Sequence, residues 1–186
     1  MFKRKILSKL EAWKRDERHK PLILRGARQV GKTTVVNEFG SQFDNYLYFN
    51  LEMNESVRLF EMDIPLNDLV NMLFASLGKS QREGSTLIFI DEIQNSPKTI
   101  ALLRYFYEQR PDLYVIAAGS LLENLVDVNV SFPVGRVMYM ALRPCSFYEF
   151  LGAIGKTNLL AVLSQKPEYT VAFHEQLIHQ FNQYTI

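Results

Sequence analysis

Two stretches of this 186-residue sequence hold side chains that could do chemistry together. The first is Gly26-Ala27-Arg28-Gln29-Val30-Gly31-Lys32-Thr33, which fits G-x-x-x-x-G-K-[ST] at every fixed position. Gly26 and Gly31 permit backbone angles that turn successive N–H groups toward phosphate oxygens. Lys32 supplies a mobile positive charge for β- and γ-phosphates. The Thr33 hydroxyl is a hard oxygen ligand of the kind Mg²⁺ takes. With Thr34, which follows it, the loop is the expected nucleotide-binding segment. The second stretch is Leu87-Ile88-Phe89-Ile90-Asp91-Glu92, an apolar run that ends in two acids. Asp91 is expected to hold Mg²⁺ through water. Glu92 is expected to take a proton from an attacking water as general base. A water-activating acid favours hydrolysis of a nucleoside triphosphate over transfer to a small acceptor.

Such motifs work only where strands and helices hold them. Leu22-Ile23-Leu24 is short and apolar on both faces, as a buried parallel strand is, and it leads directly into the glycine loop. Lys32 to Phe43 reads as the helix after the loop, with Val35, Val36 and Phe39 facing inward. Further strands are expected at Tyr46–Leu51, Leu87–Ile90, Tyr114–Ala118 and Arg136–Leu142. Residues 55–79 read as helical with a break at Pro65, and Pro97–Gln109 as a helix. Strands alternating with helices imply an α/β layered, parallel sheet. Ligands bind at the carboxyl ends of such strands, where both acids fall. Beyond Phe147 the strand signals stop. Ser146–Ala153 and Asn158–Leu163 look helical, and Phe173, Leu177, Ile178, Phe181 and Tyr184 form a further amphipathic stripe.

The residue balance narrows the class. Hydrophobic residues are 47% and charged residues 22%, which suits a folded soluble domain. A net charge of +1 gives no global pull toward nucleic acid or acidic lipid. The single cysteine, Cys145, excludes an internal disulfide and fits a reducing compartment. No apolar run is long enough for a membrane span and no secretory signal is visible, so a cytoplasmic protein is expected. Residues 1–20 nevertheless hold eight Lys/Arg against three Asp/Glu, a local balance of +5. With Phe2, Ile6, Leu10 and Trp13 at helical spacing, they read as a basic amphipathic helix. Its charges are either a solvated face or a contact for an acidic partner or nucleic acid.

The segments LILRGARQVGKTT, YFNLE, LIFIDEIQNSPK, VIAAGSLLENL and VGRVMYMALRPCSFYEFL, in that order, resemble predicted AAA+ superfamily ATPases of bacteria and archaea that carry a C-terminal domain of unknown function. The resemblance implies a three-layer P-loop NTPase of AAA+ type with a five-stranded parallel sheet in the order 5-1-4-3-2. It implies ATP and Mg²⁺ as cofactors. It places Ser120 after the fourth strand, where a polar group senses the γ-phosphate; the same serine also suits the N-cap of a helix over Leu121–Leu125. It gives Arg136 either reach to a neighbouring subunit's nucleotide or a structural role at the surface, and lets Gln94 position water. The expected division is a basic helix over 1–20, a nucleotide-binding domain over 21–144, and over 145–186 the start of a helical lid or a truncated second domain. A homo-oligomer or an attached C-terminal domain is the expected partner. Besides an ATPase, two readings stand: a nucleotide-gated binding module with slow turnover, and a DNA-associated motor or repair ATPase. No guanine-reading Asn/Thr-Lys-x-Asp string occurs, which favours adenine.

Overall fold

Five short, strongly apolar strands dictate the centre of the molecule. In the computed structural model, which describes residues 4–120, 133–163 and 171–185, they are β1 (Leu22–Arg25), β2 (Asn45–Asn50), β3 (Thr86–Asp91), β4 (Leu113–Gly119) and β5 (Met138–Ala141). All pair in parallel, in the order β2-β3-β4-β1-β5. This is the expected 5-1-4-3-2 sheet. Side chains alternate between its faces. Ile23, Leu47, Phe49, Ile88, Ile90, Val115 and Ala117 point to one face. There they pack with helices α3 (Asn54–Phe60), α4 (Leu66–Ser76) and α5 (Pro97–Gln109) through Phe60, Leu69, Leu73, Ile100, Leu103 and Phe106, all buried. Leu22, Leu24, Phe89 and Ile116 point to the other face and are equally buried. Helix α2 (Lys32–Gly40) lies on that side, contacting β3 and β4 with Val35, Val36 and Phe39 as its buried stripe. Trp13, from α1 (Ile6–Arg15), joins it with ring centroids 6.3 Å from Phe39 and 5.5 Å from Tyr114.

Element boundaries follow local chemistry. Helix α2 stops at Gly40, three residues before the expected Phe43, and Gly40 abuts the Tyr46 ring so closely that a Cβ would lie 2.7 Å from it. The apolar stretch after residue 54 breaks ahead of Pro65 into α3 and α4. Helix α5 opens as its sequence requires: Ser96 caps the Thr99 N–H and Pro97 takes the first position.

The chain divides into two compact units, Leu10–Leu142 and a second that joins Met1–Lys9 to Arg143–Ile186. The sheet belongs to the first. The second contains α6 (Phe147–Ala153), α7 (Thr157–Leu163) and α8 (His174–Tyr184). Grouping the first residues with the C-terminal segment has a clear cause. Arg4, expected as one charge of a basic helix, is only 7% exposed. Its Nε bonds Glu149 Oε1 at 3.1 Å and its Nη2 donates to the Arg143 carbonyl at 2.6 Å. Glu149 also accepts the Lys5 N–H and closes a capping box with Ser146 at the start of α6. The expected stripe on α8 is used in part: Phe181 and Tyr184 pack against Phe147, while Ile178 is largely exposed.

Candidate functional site

The loop after β1 turns twice through left-handed backbone, at Gln29 (φ 63°) and at Gly31 (φ 89°). Such alternation makes successive N–H groups converge on one point. Gly31 is also the N-cap of α2 and offers no side chain to its first N–H groups, which stay directed at the loop. Gly26 serves a different purpose from the one its motif position suggests. It lies outside the positive-φ region, and a Cβ there would stand 2.4 Å from the Leu142 carbonyl oxygen. The Leu142 N–H donates to the Arg25 carbonyl at 2.7 Å, so the end of β5 is drawn against Gly26. Gly26 is thus fixed by close packing rather than by backbone angle.

Lys32 is 6% exposed, and its Nζ donates to the carbonyls of Gly26 and Ala27, each at 2.9 Å. An ammonium has three donors, so one is left for a phosphate oxygen. Next on α2, the Thr33 hydroxyl donates to Asp91 Oδ2 at 2.6 Å. Asp91 ends β3 and is buried. That burial pushes its carboxyl above the usual carboxylate range, partly offset by the bonds from Thr33 and from the Glu92 N–H. Glu92 itself sits at φ 53°, ψ 44°, a conformation that side-chain-bearing residues seldom adopt and that tends to mark functional sites. Gln94 Nε2 donates to Glu92 Oε2.

A cleft of about 520 Å³ opens beside them, and neither Asp91, held behind Thr33, nor Gln94 is among its lining residues. Arg28, Gln29, Gly31, Lys32, Thr33 and Thr34 line it together with Glu92; Gly26, Ala27 and Val30 do not. Glu52 lines it too, although the motif reading did not single it out. It follows β2, whose last residue, Asn50, is in register with Asp91. The expected strand order, which sets β2 beside β3, was the signal that points to it. The Tyr48 phenol registers the resulting field: burial raises it first, then the charges of Asp91, Glu92 and Glu52.

Ser120 follows β4 beside Gly119, the register partner of Arg25, so it stands at the loop's edge of the sheet. It is 1% exposed, and its Oγ has no partner among the described residues. It does not line the cleft. The helix it was expected to cap, Leu121–Leu125, lies outside the described residues. Arg136 precedes β5 and therefore lies at the amino-terminal edge of a parallel sheet whose carboxyl edge carries the loop. Its Nε pairs with Glu108 Oε1 at 2.5 Å, and Glu108 also bonds Arg104. The fold does not bring Arg136 to the cleft of its own chain.

A family model described as an AAA domain matches residues 18–151. The chain belongs to the AAA domain family. A solved structure shares its fold at low identity. A structure of Drosophila ORC bound to DNA is 15% identical, matching 80% of this chain and 44% of that one, with a TM-score of 0.51. The Aeropyrum pernix ORC1 protein in complex with DNA is also 15% identical, over 82% of this chain and 48% of that one, with a TM-score of 0.49. The chain thus spans less than half the length of either, and the likeness concerns the fold. No curated protein matches it. AAA domains are in general nucleotide-binding ATPases. Among the described residues, no helix is long and apolar enough to cross a membrane.

Proposed function

We propose that this AAA domain binds Mg-ATP in the cleft and hydrolyses it to ADP and phosphate. The observation that carries the reading is the Thr33 hydroxyl held 2.6 Å from Asp91 beside Lys32, with Glu92 on the same cleft wall. Thr33 and Asp91 offer oxygen donors, as Mg²⁺ requires, and a buried carboxylate gains most from a cation. Bound there, Mg²⁺ would offset the charge of the β- and γ-phosphates. The loop N–H groups and Lys32 bind and orient the phosphates. Glu92 takes a proton from water while that water's oxygen bonds the γ-phosphorus and the bridging oxygen leaves with ADP. Ser120, whose buried hydroxyl has no partner among the described residues, stands at the same sheet edge and orients the γ-phosphate or the water. Arg136, at the other edge, acts only on the nucleotide of a second copy. Helices α6–α8 are read as the start of a lid.

The test is steady-state phosphate release with Mg-ATP. Glu92→Gln should keep nucleotide affinity and lose about 100-fold or more in kcat. Turnover equal to wild type would remove Glu92 as the base. A nucleotide-gated module remains the reading if binding is tight and wild-type turnover is negligible. A DNA-linked role has one observation behind it: Lys9, Arg15 and Arg18 lie exposed on or next to α1. Its check is DNA affinity that falls steeply with salt.

A further inference from the structure

Glu92 is held by more than its place in the strand. Its strained backbone conformation is fixed by its N–H bond to Asp91 Oδ1 at 3.1 Å. The following turn, Ile93–Asn95, is anchored by Ile93, which is completely buried. Gln94 lies on that turn, and its Nε2 donates to Glu92 Oε2. The amide can face a carboxylate only with its donor end, because the reverse would set two acceptors against each other. Its other end, Oε1, is buried without a partner among the described residues. The Gln94 side chain therefore does not staple the turn to another described element through a hydrogen bond. Among the described residues, the one hydrogen-bond partner of its side chain is the Glu92 carboxylate.

We propose that Gln94 is a positioning residue that fixes the direction of the Glu92 carboxylate toward the cleft. The proposal rests on Glu92 acting as the base. Without the amide, the carboxylate gains rotamer freedom on a strained backbone and loses alignment with the attacking water. A misplacement of about 1 Å can cost on the order of 100-fold in rate.

The experiment compares wild type, Gln94→Leu, Glu92→Gln and the double variant in the full chain. Steady-state phosphate release and Mg-ATP affinity are measured for each. The expected result is a kcat lowered about 10- to 100-fold in Gln94→Leu with affinity within about twofold of wild type. The double variant should be no slower than Glu92→Gln, since both changes act through one carboxylate. Unchanged kcat in Gln94→Leu overturns the proposal. So does a double variant slowed by the product of the single effects, or a loss of affinity that matches the loss of rate. If Gln94→Leu does not fold, Gln94→Met carries the same comparison. Failure of the underlying reading looks different: either wild type does not turn over, or Glu92→Gln turns over normally, and the role of Gln94 falls with it.

Discussion

Replacing Gly26 by alanine should destabilise the sheet even without nucleotide. The added methyl would sit 2.4 Å from the Leu142 carbonyl oxygen and 3.1 Å from Val30 Cγ2. Close C···O contacts begin near ~3.3 Å, so the overlap with the oxygen is roughly 0.9 Å. That oxygen is backbone, and its own residue is tied to β1 by the Leu142–Arg25 hydrogen bond at 2.7 Å. Relief requires β1 and β5 to part at this end. Overpacking of this kind costs ~1–3 kcal/mol. Weakening the strand-end hydrogen bond adds about 0.5–1.5 kcal/mol. A total of about 2–4 kcal/mol corresponds to a drop of roughly 5–15 °C in Tm for a chain of this size. Thermal unfolding followed by circular dichroism without nucleotide is the assay. A Gly26→Ala variant that melts within about 1 °C of wild type would refute the packing argument and return Gly26 to a purely phosphate-directed role.

Two further substitutions separate function from stability. Asp91→Asn should abolish the Mg²⁺ dependence of nucleotide binding while leaving Tm without nucleotide equal to wild type or higher. Burial raises the Asp91 carboxyl, so this group's contribution to stability declines as pH rises through its unfolded value toward its folded one. Neutralising it removes that cost; a lower Tm in the variant would contradict the sign. Glu149→Gln should destabilise the unit containing α6 at pH 7. The bonds from Ser146, Lys5 and Arg4 outweigh burial and hold its carboxyl at about 2, against an ordinary 4.5. That stability is present above pH 4.5 and is lost as pH falls toward 2. At ~1.4 kcal/mol per pH unit its upper bound is about 3 kcal/mol. Urea titrations should show wild type and variant converging near pH 2–3; a gap that persists there would overturn the assignment.

The fold was legible because each buried strand reads as an unbroken apolar run and each helix carries its stripe and its break. Leu22–Leu24, Leu87–Ile90 and Pro97–Gln109 all lie within or on observed elements. The cleft was legible in the same way, since the phosphate loop and the Asp91-Glu92 pair are local strings. What the sequence hid is non-local. Arg4 meets Glu149 across most of the chain, and no periodicity encodes that pairing. Gly26 is constrained by Leu142, a partner that only strand order supplies. Glu52 enters the cleft through the register of β2 on β3. The left-handed backbone of Glu92 is set by the turn behind it, and its side chain alone would not forecast it. Arg136 sits at the edge opposite the loop, a position that follows from strand direction rather than from residue type.

Calorimetric titration of the wild-type chain and of Lys32→Ala with Mg-ATP tests the central claim most directly. Lys32 is the one loop side chain that both closes on the Gly26 and Ala27 carbonyls and lines the cleft. The account predicts saturable binding by wild type, dependent on Mg²⁺, and at least a 100-fold loss in the variant, equivalent to about 2.7 kcal/mol. Equal affinity in the two proteins, or no binding by a folded wild type, would contradict it.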